Sequence, residues 1–270
     1  MLAIKNNIMA LNAARHLGNT YAALAQSVER LSSGMRINTA KDDAAGLAVR
    51  ELMRGDIAVL QQGARNAQDG VSLVQVAEGG MQVVNDLLVR MKQLAEQAGT
   101  GTYSPAQRSI MDSEFDELAN EIERIAGAAE FNSISMLNSA TGSVAVMFGS
   151  TADSITINKA DMTKNGLSID GLSIATEASA QAALTGLDTA IEAANSARAA
   201  FGAKMNRLEN TVNVISVQIE NLQASESRIS DVDVATEVAA MTRNQVLAQA
   251  GVAMLAQANT VPQMALTLLR

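Results

Sequence analysis

The stretch LDTAIEAANSARAAFGAKMNRLENTVNVISVQIENL at 187–222 decides the fold. Its apolar residues fall alternately four and three positions apart: Leu187, Ile191, Ala194, then Phe201, Met205, Leu208, Val212, Ile215, Ile219 and Leu222, with Arg198 as the one charged member of the row. That spacing lines one face of a long helix and keeps it turned toward a partner, which is a coiled-coil seam. Working outward, Ile57, Leu60, Ala64, Ala67, Val71 and Val74 repeat the spacing, followed by Met81, Val84, Leu88 and Met91, and by a shorter row of Met111, Phe115, Leu118, Ile122 and Ile125. Near the start Tyr21, Leu24, Val28, Leu31 and Met35 keep it. Near the end Val234, Val238, Met241, Gln245, Ala248, Val252, Leu255, Asn259, Pro262, Leu266 and Leu269 do the same.

Composition agrees with long helices. Hydrophobic residues make up 48% of the 270, yet aromatics are 2% and tryptophan is absent, so small aliphatic side chains supply the apolar surface. These suit helices lying close side by side, whereas a compact core draws on large aromatic side chains. Pro105 and Pro262 are the only prolines. Ser104, Pro105 and Gln107 read as a helix start with a capping box. The polar run LSSGMRINTAKDDAAG ends the first helix, and Asp42 and Asp43 suit the first turn of the next one. Between about 131 and 176 the period changes: Val144–Gly149 and Ser154–Asn158 look like short strands around a turn, with a second turn near Asn165 and Gly166. The expected fold is mainly α: a long coiled-coil-like helical bundle built from both chain ends, with a small β-hairpin insert in the middle.

Few kinds of chemistry fit. The chain has no cysteine, which removes thiol catalysis and disulfides. Its net charge of −8 argues against nucleic acid as the main partner. No stretch approaches the roughly 18 apolar residues of a membrane span. The start lacks a basic segment followed by a continuous apolar run, so export by a route without a cleaved signal is the alternative to a cytosolic location. His16 is the single histidine and reads as a surface or interface residue. Asp42 and Asp43 project to different sides of a helix and read as capping residues rather than an acid–base pair. The acidic run at 112–124 lacks the spacing of a calcium loop and reads as a solvated or lateral face. Gly79 and Gly80 sit inside a helical row and suggest a close helix contact or a kink. Neither enzymatic activity nor a cofactor is expected.

The two ends carry the functional information. Their rows are rich in alanine and tinged with Gln245 and Asn259, and each alanine buries little area. Such helices are marginal alone and fold against partners. Many copies packed by a contact that does not close on itself would form a helical filament; a cytosolic coiled-coil scaffold is the other reading of the same pattern.

LSSGMRINTAKDDAAGLAV at 31–49 and LNAARHL at 11–17 resemble the N-terminal signature of bacterial flagellins. FGAKMNRLENTVNVISVQIENLQASESRISDVDVATE at 201–237 and QAGVAMLAQANTVPQMALTLL at 249–269 resemble the C-terminal half of that family. The resemblance covers about 1–138 and 180–270. It implies a filament subunit for swimming motility, with 1–40 and 231–270 as an inner terminal coiled-coil domain, disordered in the monomer, and 44–225 as a rod domain. Because the middle holds only the small β insert, the resemblance implies a short form without the family's variable outer domains. A hook–filament junction protein, which also has flagellin-like ends, is the nearest rival.

The resemblance implies export through the flagellar type III apparatus, with partners in an export chaperone, the filament cap, the hook-junction proteins and other copies of the chain, and an extracellular filament as the location. An assembly seam is expected along Leu24, Val28, Leu31, Val238, Met241, Val252, Leu255 and Leu266. The family also binds Toll-like innate immune receptors, and the matching positions are Arg90, Leu94 and Glu114, with Val89 where strongly stimulating members carry glutamine. Membrane insertion is not expected.

Overall fold

The computed structural model describes residues 7–149 and 153–267, the last seven as backbone alone. Five helices carry the chain: α1 (Ile8–Ser33), α2 (Ala44–Ala98), α3 (Pro105–Ala128), α4 (Glu177–Ser230) and α5 (Val234–Thr267). Between α3 and α4 lie β1 (Glu130–Phe131), β2 (Ile134–Ser135), β3 (Ser143–Met147) and β4 (Ser154–Asn158). The chain divides into a terminal unit, Met1–Asp56 with Asn221–Arg270, and a central unit, Ile57–Glu220.

In the central unit the sequence rows become the core. Helices α2 and α4 run antiparallel, since Lys92 pairs with Asp188, Glu78 lies 3.6 Å from Arg198, and Gly70 faces Leu208. Every member of the 187–222 row is buried or half-buried, as are Ala67, Val74, Met81, Val84, Leu88 and Met91 on α2. Arg198, the break in the row, leaves its Nε buried without a partner. Helix α3 packs antiparallel to α2 through Met111, Phe115, Ala119 and Ile122. Its start has the expected capping box: the Ser104 hydroxyl accepts from the Gln107 N–H, and the Gln107 side chain accepts from the Ser104 N–H.

The insert is two antiparallel hairpins. One pairs β3 with β4, with Val146, Ile155 and Ile157 buried; the other is a tight turn at Asn132–Ser133, both with positive φ, between β1 and β2. The β3–β4 hairpin rests on glycines of α2. A Cβ at Gly63 would lie 2.3 Å from the Phe148 carbonyl oxygen, and one at Gly70 would lie 2.9 Å from Val146, while Asn66 Nδ2 donates to the Met147 carbonyl at 2.9 Å. Gly80 is a close contact as expected, meeting Leu137 and Ala129, whereas Gly79 faces open space.

The acidic run of α3 is not simply a solvated face. Asp112 accepts from Ser173 Oγ at 3.0 Å and from the Ile174 N–H at 2.7 Å, and Glu123 accepts from the Lys164 N–H at 2.9 Å. These carboxylates fasten the irregular segment after β4 to the helix.

Candidate assembly surface

Helix α1 begins at Asn7, whose side chain accepts from the Ala10 N–H, and ends at Gly34, which takes a left-handed φ of 72° and donates its N–H to the Arg30 carbonyl. Helix α5 lies antiparallel to it. Asn7 Nδ2 donates to the Ala258 carbonyl at 2.7 Å, Leu17 packs on Gly251, and Arg30 sits 3.7 Å from Glu237.

The inward residues of α1 include Ala10, Ala13, Leu17, Thr20, Leu24, Ser27 and Leu31; those of α5 include Met241, Asn244, Ala248, Gly251, Leu255 and Ala258. Both rows step by three and four. More than half of their members are small or polar, so the seam buries little apolar area per turn. Ser27 and Ala248 are the only fully buried residues on these two helices whose side chains are described. Arg30 Nε is buried there without a partner, an added cost in a seam with little to offset it.

Many of the larger side chains point away. Ile8, Met9, Leu11, Tyr21 and Val28 on α1 are exposed, as are Val234, Val238, Val246, Leu247, Val252 and Met254 on α5. On α5 these apolar side chains alternate with exposed Arg243, Gln245, Gln249 and Gln257, so they are not confined to the seam facing α1. Of the expected seam, Leu24, Leu31, Met241 and Leu255 face the partner helix within the chain, while Val28, Val238 and Val252 face outward; the Leu266 side chain lies outside the described residues. Of the expected α5 row, Met241, Ala248 and Leu255 lie on the intrachain face, while Val234, Val238, Gln245, Val252 and Asn259 are exposed beside it.

A clasp closes the other end of this pair. The Arg36 N–H donates to the Ser230 carbonyl at 2.6 Å and the Val232 N–H to the Gly34 carbonyl at 3.1 Å. The Arg36 guanidinium donates to the Ile229 carbonyl, and buried Arg50 donates to the Ile37 carbonyl at 2.9 Å. Asp42 lies outside α2. It accepts from the Asn38 and Thr39 N–H groups, the Thr39 hydroxyl and Gln26, and these bonds, led by the Thr39 N–H, hold its carboxyl below the ordinary value. Asp43 alone caps the helix, accepting from the Gly46 N–H at 2.9 Å. Spacing did not separate these two roles.

The residues implied for receptor contact lie in the central unit. Arg90 on α2 and Glu114 on α3 are exposed and paired at 2.7 Å. Leu94 is 2% exposed and belongs to the core, so it presents no surface to a partner. His16 is exposed. Among the described residues no three His, Asp or Glu side chains gather as around a metal ion, and no helix is long and apolar enough to cross a membrane.

Comparison with known proteins gives a consistent result. Residues 4–141 match the family model of the bacterial flagellin N-terminal helical region, and 184–269 that of the bacterial flagellin C-terminal helical region. The chain is 42% identical over 274 residues to a flagellin of Halalkalibacterium halodurans, and 43% identical over 286 residues to the flagellar filament 33 kDa core protein of Treponema phagedenis; each alignment covers 100% of both chains. Among solved structures it is similar to the crystal structure of Bacillus cereus flagellin, with a TM-score of 0.50 and 32% identity over 60% of this chain and 94% of that one.

Proposed function

The chain belongs to the bacterial flagellin family and is a structural subunit of the extracellular flagellar filament, and from that premise we propose that its terminal helix pair is the surface through which copies polymerise. Residues 1–40 and 231–270 form the inner domain of the assembly, and 44–225 form the rod. The carrying observation is the set of large apolar side chains that flank the α1–α5 seam and stay exposed, among them Tyr21, Val28, Val238, Leu247, Val252 and Met254. The pair leaves these side chains to solvent, and neighbouring copies can bury them. The pairing of α1 with α5 is marginal in the free monomer and is completed as each subunit joins.

The chain leaves the cell unfolded through the flagellar type III apparatus with the help of an export chaperone, and meets the cap and hook-junction proteins at the growing end. A hook–filament junction protein or a cytosolic scaffold is not favoured, because the relatives matched from end to end are flagellins and filament core proteins.

Replacing Leu255, a half-buried seam residue, tests the proposal. Leu255→Asp puts an unpaired charge where subunits pack. The expected outcome is an intact central unit by circular dichroism and no filaments by electron microscopy. Limited proteolysis of wild-type monomer should trim both ends and leave a resistant core. Filaments from Leu255→Asp at wild-type yield would remove the terminal pair as the assembly surface.

A second role rests on the exposed Arg90–Glu114 pair. Its planar guanidinium suits recognition by a Toll-like receptor. Leu94 contributes from beneath, by fixing the turn of α2 that presents Arg90.

A further inference from the structure

We propose that Met9 and Met254 form an oxidant-sensitive pair on one flank of the terminal helices, and that their conversion to sulfoxides blocks filament growth; the inference rests on the assembly reading above. Of the methionines whose side chains are described, only Met9, Met254 and Met147 are exposed, at 71%, 65% and 44%. Met81, Met91, Met111, Met136 and Met162 are buried in the central core. The two most exposed thioethers therefore both lie on the helices with the weakest intrachain packing.

Register brings them together. Met9 stands one position before the seam residue Ala10, and Met254 one before the seam residue Leu255. In an antiparallel pair, positions that precede seam residues in this register run along the same edge. Asn7 bonds to the Ala258 carbonyl, so both sulfurs also lie near the same end of the pair. Leu247 continues that edge as an exposed apolar residue one heptad from Met254. The opposite edge carries Tyr21, Val28, Val238 and Val252, which oxidants of this class leave unchanged.

The chemistry is a two-electron oxygen transfer. A peroxide accepts a lone pair from the thioether sulfur; the sulfur–oxygen bond forms as the oxygen–oxygen bond breaks, and the second oxygen leaves as water. Sulfur is oxidised and peroxide reduced. The product is polar and chiral. A subunit joining the filament would have to bury two sulfoxide oxygens on an apolar edge, and an unpaired buried polar group is costly. A methionine sulfoxide reductase reverses the step, so the block is conditional rather than final.

The test treats full-length monomer with hydrogen peroxide, quenches it, maps sulfoxides by peptide mass spectrometry and follows seeded polymerisation by sedimentation. Met9 and Met254 should oxidise about tenfold or more faster than the five core methionines, as exposure dictates. Treated wild type should lose most of its polymerisation and regain it after sulfoxide reductase. The M9L/M254L variant, which keeps volume and apolarity, should polymerise after treatment, whereas M147L should remain as sensitive as wild type. Polymerisation at the untreated rate by chains carrying both sulfoxides overturns the proposal. So does equal oxidation of core and terminal methionines, or failure of the reductase to restore growth. Failure of untreated wild type to polymerise counts against the filament reading instead.

Discussion

In the central unit Val84, Leu88 and Met91 on α2 share one core with Phe115 and Ile122 on α3 and with Leu187 and Phe201 on α4, all of them buried. In the terminal unit the facing residues are the small or polar Ala13, Thr20, Ser27, Asn244, Ala248 and Gly251 beside a few larger ones, Leu17, Leu24, Leu31, Met241 and Leu255. The terminal unit has two fully buried hydrophobic residues among those described, Ile37 and Ala248, and it holds all three buried polar residues, Ser27, Arg50 and Ser230. Both units are built from long helices of three-and-four spacing. They differ in which face receives the large side chains. The central unit gathers its largest side chains into one buried core; the terminal unit encloses only a few, such as Leu17, Leu24 and Leu255, and leaves Tyr21, Val28, Val238, Leu247, Val252 and Met254 exposed. Helix content therefore says little about where a chain is stable, because packing of the apolar face supplies most helical stability.

The sharpest way to break this contrast is a matched truncation. Phe115→Ala empties the middle of the central core and should cost about 3–5 kcal/mol in urea unfolding. Leu255→Ala in the terminal seam should cost the isolated monomer under about 1 kcal/mol, while slowing seeded polymerisation. Similar losses in monomer stability from both variants would mean that the terminal pair is an ordinary core.

A smaller effect is expected where the hairpin meets α2. Gly63→Ala forces the Phe148 carbonyl away, and overpacking of this kind costs about 1–3 kcal/mol. Hydrogen exchange should show faster opening of β3 and β4 with little change in α1 and α5. Unchanged protection of the hairpin would show that it is not held by this contact.

The smallest stability effect belongs to the surface pair. Arg90→Ala removes an exposed ion pair worth about 0–1 kcal/mol, so the melting temperature should hardly move. Binding of the monomer to a Toll-like receptor ectodomain should weaken by about 1–2 kcal/mol or more if Arg90 anchors that contact. Equal binding by variant and wild type, measured by titration, would leave Arg90 as a solvated partner of Glu114 alone.

Much of the central unit was legible because its signals are large and redundant. The 187–222 row faces inward throughout, the Ser104 capping box forms, and the second strand spans Ser154–Asn158 as expected. The expected terminal rows meet the intrachain face at Leu24, Leu31, Met241, Ala248 and Leu255 but run beside it at Val28, Val238, Gln245, Val252 and Asn259. Around α5, valine, leucine and methionine flank alanine and glycine on nearly every turn, so spacing alone presents adjacent rows of similar apolarity. Assigning the larger side chains inward selected Val238 and Val252, whereas the chain encloses Gly251 and Ala258. The docking of Ser173 and Ile174 on Asp112 was not legible either, since it joins residues with no shared periodicity. Gly63 carried a weak signal, one heptad before Gly70 on the same face of α2.

The clasp between 34–36 and 230–232 has a kinetic consequence. Contacts across the terminal unit join residues very far apart along the chain: 251 positions separate Asn7 from Ala258, and 193 separate Arg36 from Ile229. By contrast Arg90 and Glu114 are 24 apart, and β3 and β4 form a local hairpin. The entropy of closing a loop rises with its length, so long-range pairs are slow to form unless what lies between them has already folded. Once α2, α3 and α4 have paired, the effective loop between the ends becomes far shorter. A folded α2–α3–α4 core thus shortens the effective loop that the clasp must close, which favours closing of the clasp after the core has formed.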